Sequence, residues 1–231
     1  MALKVRDNPW LSRSQRDFLL GLPREVWELY SFSGGTALSA FYLQHRVSED
    51  VDLKSLELDF VPPAGLLGKW LRGFEVISRS RIHERRLFLL RLGGEEVKVE
   101  FFPAYFPRLQ DPLVVEGIKV DSFEDLVADK VIALADRFDP RDLVDLFFTW
   151  KLKGMTLGEM VELARRKHDV PYHYQLRLAR GLEIEEEPLR LRKPFSREEF
   201  REFIERSQEE LALAAEQDLS DNLHGPGSPK P

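Results

Sequence analysis

The chain has 231 residues, 40 Asp and Glu against 34 Lys and Arg, a formal net charge of −6, and no cysteine. The missing thiols exclude a disulfide framework, a Cys-ligated zinc or iron–sulfur centre and a thiolate nucleophile. The negative charge argues against a globally basic nucleic-acid binder, and no stretch approaches the ~20 apolar residues of a membrane span or forms the apolar core of a signal peptide. A cytoplasmic protein with no membrane partner is expected.

From Ser12 to Tyr30 apolar residues recur at helical spacing, broken at Gly21-Leu22-Pro23, which predicts two short helices. Ser33-Gly34-Gly35-Thr36 reads as a turn, and Ala37 to Arg46 as a helix starting just after the glycines. Asp50 to Lys54 alternates polar and apolar residues, as in a half-buried strand. Pro62-Pro63 precedes a predicted helix from Ala64 to Leu71, and Phe74 to Arg85 reads as one alternating stretch. Gly93-Gly94 between two apolar runs, Arg86 to Leu92 and Glu95 to Phe102, predicts a hairpin.

After Val120 the chain turns helical. Ser122-Phe123-Glu124-Asp125 resembles a capping box opening a helix through Arg137. Pro140 opens a second helix that Gly154 closes, and further helices are predicted at Leu157 to Lys167, His173 to Leu182 and Ser196 to Gln217. The expected domains are N-terminal helices (1–29), a mixed-sheet core (30–120), a helical part (121–219) and a disordered tail (220–231).

Chemistry concentrates in Gly34-Gly35-Thr36 followed by Asp50-Val51-Asp52. A glycine pair at a helix start lets backbone N–H groups approach an anion, and a Thr36 hydroxyl adds a donor. Residues two apart on a strand share a face, so Asp50 and Asp52 project together, and a hard divalent cation resolves their repulsion. Glu100, on the Lys98 face of Val97-Lys98-Val99-Glu100-Phe101, is the candidate third carboxylate. Three carboxylates, metal and a phosphate cradle describe in-line attack at a nucleotide phosphorus. Arg79, Arg81, His83 and Arg85 alternate along one predicted strand face, with Arg86 next to it. That face is either a contact for RNA backbone or triphosphate, or a solvated surface matched by Glu84, Glu95 and Glu96. The five histidines show no metal-ligand spacing.

Gly34-Gly35-Thr36-Ala37-Leu38 and His45-Arg46-Val47-Ser48-Glu49-Asp50-Val51-Asp52-Leu53 resemble the nucleotidyltransferases of the DNA polymerase β superfamily, and within it the AbiEii/AbiGii toxin family. Asp125 to Leu134, with Lys130, and Arg141-Asp142-Leu143-Val144-Asp145 resemble that family's helical motifs. The resemblance, over roughly Phe32 to Trp150, implies an α+β fold: a polymerase-β-type mixed sheet flanked by helices, with a helical C-terminal part and the active site between the two. It implies transfer of a nucleoside monophosphate from an NTP, with Mg2+ (or Mn2+), to an acceptor, RNA or tRNA in the first place, by the toxin of a pair with a cognate antitoxin. Carried over, Gly34, Gly35 and Thr36 hold the triphosphate, Asp50 and Asp52 bind metal, and Glu100 is the third metal carboxylate and base. Lys130 contacts phosphate, and Asp142 and Asp145 lie near the nucleotide or orient Lys130 and Arg141. Glu100 stands where Asp is common, and Val144 where an aromatic is frequent. The alternatives are transfer to a small molecule such as an aminoglycoside, or a catalytically silent nucleotide-binding or protein-binding module of the same fold.

Overall fold

The computed structural model describes residues 4–168, 178, 180–183 and 189–223. The chain divides into two units: Met1–Leu126 with Glu187–Lys193, and Val127–Glu186 with Pro194–Pro231.

The first unit opens with α1 (Arg13–Gly21) and α2 (Val26–Leu29), separated at Leu22-Pro23 as the breakers require. The Ser12 hydroxyl accepts from the Gln15 N–H, and the Gln15 side chain accepts in return from the Ser12 N–H, satisfying two donors of the first turn. A mixed seven-stranded sheet follows, in the order β3-β4-β5-β2-β1-β7-β6. Its strands are β1 (Tyr30–Ser33), β2 (Val51–Leu58), β3 (Glu75–Ile82), β4 (Arg85–Leu92), β5 (Glu95–Ala104), β6 (Leu113–Val115) and β7 (Ile118–Val120). Strands β2 and β5 run parallel, as do β1 and β7, and the other pairs are antiparallel. Strand β1 is buried along its whole length, as a central strand covered on both faces must be. Tyr30 meets Trp70 of α4 (Ala64–Trp70) and Phe101 edge-on, at centroid distances of 5.9 and 5.4 Å. Each large side chain so buried contributes about 1.5–3 kcal/mol.

Two local expectations change. The glycines do not precede the helix; they begin it. Helix α3 is Gly34–Leu38, continuing as a π-helical turn over Ser39–Leu43 that ends at Gln44 in the left-handed conformation. The Phe74–Arg85 stretch is not one strand. It turns at His83-Glu84, with Ile82 opposite Arg85, and His83 takes a φ of 52°. Neither residue is glycine or proline, so no strong turn chemistry marked the place. By contrast, Gly93 and Gly94 turn between Leu92 and Glu95 with φ of 58° and 88°, the hairpin the sequence predicts.

The second unit is helical, with α5 (Phe123–Asp136) bridging the division, then α6 (Pro140–Lys153), α7 (Leu157–Arg165), a 3-10 turn at Arg180–Glu183 and α8 (Arg197–Leu223). The helix expected over His173–Leu182 falls largely outside the described residues. Phe147 of α6 is ringed by Phe148, Phe195, Phe200 and Phe203. Asp139 caps α6, accepting from the Arg141 N–H at 2.9 Å, and Gly154 ends it at φ 69°. Burial pushes the Asp139 carboxyl up, but the Arg141 hydrogen bonds and the charges of Arg141 and Arg137 outweigh it and hold the group below its ordinary value. Its contribution is therefore present above the ordinary aspartate range and lost as pH falls through the lowered value. Asp139→Ala is expected to lower the unfolding free energy by about 1 kcal/mol at neutral pH, with the difference fading in strong acid. Urea titrations at pH 7 and pH 3 check it, and an equal loss at both would contradict it.

Candidate active site

The site residues of the first unit lie in a row across four neighbouring strands. Ser33, at the end of β1, pairs in register with Asp52 on β2, and Asp52 pairs with Glu100 on β5. Residues directly opposite in a sheet share a face, so Asp52 and Glu100 project side by side. Glu100 is opposite Leu87 on β4, which puts Arg85, two residues earlier, on that face too. Asp50 immediately precedes β2, one residue short of the strand in which the alternating pattern placed it.

Gly34 is packed against Asp52. Its φ is 72°, and a Cβ built on it would lie 2.0 Å from Asp52 Oδ2 and 2.8 Å from Cγ. Only glycine meets both the conformation and the space. The Thr36 hydroxyl, buried, donates to the Asp50 carbonyl at 2.5 Å, so its hydrogen serves to hold Asp50 against the glycine turn. The Asp50 carboxylate lies 3.3 Å from Lys98 Nζ. Glu100, buried, accepts through Oε1 from Arg85 Nε. The Arg85 guanidinium also sits over the Phe102 ring, 5.2 Å from its centroid. Burial would lower the Arg85 pKa, but the Glu100 hydrogen bond and charge, with the charges of Asp52 and Tyr105, raise it above its ordinary value. Arg85 is thus charged at any physiological pH.

The donor chemistry of Asp50 and Asp52 fits a hard divalent cation: both side chains offer carboxylate oxygens, one just before β2 and one within it, with Asp52 against the glycine that starts α3. Among the described residues, no three acidic or imidazole side chains converge in a metal-binding group.

Sequence reasoning missed the support beneath this row. Asp121, fully buried just past β7, accepts from the Ser31 hydroxyl at 2.5 Å and the Ser33 hydroxyl at 2.7 Å, and is paired with Lys54 Nζ at 2.5 Å. The Tyr42 hydroxyl donates to the Asp121 carbonyl. Ser33 is the residue before Gly34, so Asp121 anchors the end of β1 from which the glycine turn starts. One signal was available: Lys54 stands two residues after Asp52 in a strand otherwise rich in buried residues.

The arginine series divides at the hairpin. The turn at His83-Glu84 resets the alternation, so Arg79, Arg81 and Arg86 share one face while Arg85 lies on the Glu100 face. Arg81 and Arg86 are opposite each other, and both donate to the His83 carbonyl.

In the helical unit, Lys130 of α5 lies between Asp142 and Asp145 of α6, 2.6 and 2.8 Å from their carboxylates. The i, i+3 spacing presents both acids on one helical face toward it. Arg141 is paired instead with Asp139.

The sequence profile of the nucleotidyl transferase AbiEii toxin family, a type IV toxin–antitoxin system, matches residues 18–222. The chain belongs to this family. The chain is also 27% identical to the Aquifex aeolicus (strain VF5) protein aq_aa25 over 171 residues, 68% of this chain and 76% of that one. Its fold is similar to a proposed nucleotidyltransferase of Helicobacter pylori, with a TM-score of 0.57, 18% identity, and 90% and 98% of the two chains covered. JHP933 of the same organism superposes with a TM-score of 0.55 at 18% identity, covering 90% of this chain and 94% of that one. The mixed sheet and its helices are thus a nucleotidyltransferase fold, and the chain is a nucleotidyltransferase of a toxin family. Among the described residues no helix is long and apolar enough to cross a membrane.

Proposed function

We propose that this AbiEii-family protein transfers a nucleoside monophosphate from an NTP, with Mg2+ (or Mn2+), to the hydroxyl of an RNA acceptor, tRNA in the first place, and acts as the toxin of a pair restrained by a cognate antitoxin in the cytoplasm. The observation that carries this is the contact between Gly34 and Asp52, with Glu100 next to Asp52 in register. Gly34, Gly35 and Thr36 offer backbone N–H groups to the triphosphate at the start of α3. Asp50 and Asp52 would hold the metal, which when bound supplies charge neutralisation at the transferring phosphate and the pyrophosphate.

Glu100 is the base in this reading. It takes the proton of the acceptor hydroxyl as that oxygen bonds to the α-phosphorus, and the bond from the α-phosphorus to the bridging oxygen breaks to release pyrophosphate. The Arg85 contact uses Oε1, and among the described residues no hydrogen bond engages Oε2, which is the oxygen assigned the proton. Lys130 is read as a phosphate-binding lysine by resemblance, and within its own unit Asp142 and Asp145 orient its ammonium.

Wild-type protein incubated with total RNA, Mg2+ and each labelled NTP in turn is expected to label RNA, and EDTA to stop it. No label with any of the four nucleotides would sink the proposal. For the toxin role, induced expression is expected to arrest growth and Asp50→Ala to relieve the arrest. Equal growth of the two strains would contradict it.

A further inference from the structure

Resting on the reading above, we propose that Arg85 clamps a backbone phosphate of the acceptor strand, making phosphate next to the reacting hydroxyl a requirement for the acceptor. Sheet order places it on that side. Reading across β1, β2, β5 and β4, the row runs Ser33 with Gly34 just past it, Asp52, Glu100, Arg85. The glycine turn, which receives the donor's phosphates, is at one end, and Arg85 is at the other, beyond the base. An anion bound by Arg85 therefore belongs to the molecule whose hydroxyl Glu100 deprotonates.

The guanidinium is already oriented. Glu100 holds its Nε and the Phe102 ring lies against its flat face, while its side chain remains 42% exposed. Among the described residues the Arg85 side chain donates no hydrogen bond besides the one from Nε, so both terminal NH2 groups are available for a forked contact with phosphate oxygens. Tyr105 is 49% exposed, and its phenol feels the charges of Arg85 and Glu100. A fixed cation with an exposed aromatic ring near enough to feel its charge is an arrangement that binds single-stranded nucleic acid, phosphate on the cation and base on the ring. Acceptors without phosphate, such as aminoglycosides, have nothing to offer Arg85.

The test uses the full chain and a fluorescein-labelled 12-nucleotide single-stranded RNA with a free 3′ hydroxyl, read by anisotropy between 50 and 200 mM KCl. Arg85→Ala is expected to weaken binding about tenfold and to reduce the slope of log affinity against log salt by about 0.7, the value for one phosphate contact on a single strand. Arg85→Lys should recover part of the affinity. Arg79→Ala, an exposed arginine on the other sheet face, should change it less than twofold. A probe with its last linkage replaced by neutral methylphosphonate should lose the same tenfold on wild type and nothing further on Arg85→Ala.

Wild-type affinity and slope in Arg85→Ala, or indifference of the wild type to the methylphosphonate, overturns the assignment. So does an equal loss in Arg79→Ala, which would mean diffuse charge. A tenfold weaker NTP affinity in Arg85→Ala with RNA binding unchanged would place the phosphate on the donor and also overturn it. RNA binding through Arg85 without transfer of labelled nucleotide would instead refute the RNA-transferase reading and leave the Arg85 contact standing.

Discussion

Gly34→Ala is expected to lower nucleotide transfer by roughly a hundred- to a thousandfold, as much as losing one well-placed group at a transition state, while the protein stays folded. Two independent costs meet at this position. A φ of 72° is in the left-handed region, where a Cβ is disfavoured by about 1 kcal/mol, and the new methyl would occupy the place of the Asp52 carboxylate, 2.0 Å from Oδ2. The backbone can relieve this only by moving the glycine turn or by turning Asp52 away. Either movement separates the proposed phosphate cradle from the proposed metal ligand, and a displacement of about 1 Å is enough to cost two orders of magnitude. If Gly34 and Asp52 act as one unit, Gly34→Ala in an Asp52→Asn background should cost little more than Asp52→Asn alone. A transfer assay on the four proteins, with circular dichroism to verify folding, measures the coupling. Full activity in Gly34→Ala, or strictly multiplicative losses, would contradict the account.

Asp121→Ala is expected to have the largest effect on stability, about 3–5 kcal/mol, the usual cost of breaking a buried ion pair from one side. The carboxylate removed faces Lys54 Nζ at 2.5 Å and receives the Ser31 and Ser33 hydroxyls. Lys54 is only 8% exposed, so its buried charge would lose the carboxylate that lies 2.5 Å from it. Adding Lys54→Met should recover a substantial part of the loss, because an apolar side chain of similar length avoids the desolvation that the lysine suffers. Urea unfolding of the single and double variants checks both statements, and a loss below about 1 kcal/mol in Asp121→Ala would refute the assigned role. Because Ser33 directly precedes Gly34, the recovered double variant should still transfer poorly: stability returns, but the anchor of the glycine turn does not.

Much of the local structure was legible from local chemistry. Ser12, Pro140 and Gly154 mark helix ends through hydrogen bonds and backbone angles that involve only near neighbours. Gly93-Gly94 marks a hairpin for the same reason. The Gly34-Gly35-Thr36 and Asp50-Val51-Asp52 strings could be singled out because glycine freedom and strand alternation are properties of a few consecutive residues. What they could not reveal was that Gly34 touches Asp52 itself, since 17 intervening residues have to fold back before β1 and β2 pair.

The remaining decisions were tertiary. Arg79, Arg81 and Arg85 looked like one face until the hairpin at His83-Glu84 reversed the chain, a turn without glycine or proline to announce it. Asp121 and Lys54 are 67 residues apart in the chain and meet only because β7 lies beside β1, which buries them together. By itself the sequence determined the kinds of group available for chemistry, thiol-free and rich in carboxylate, and the short strings that hold them. Which carboxylate stands next to which, and which cation answers each, was decided by strand order and register, because those depend on hydrogen bonds and burial between segments dozens of residues apart.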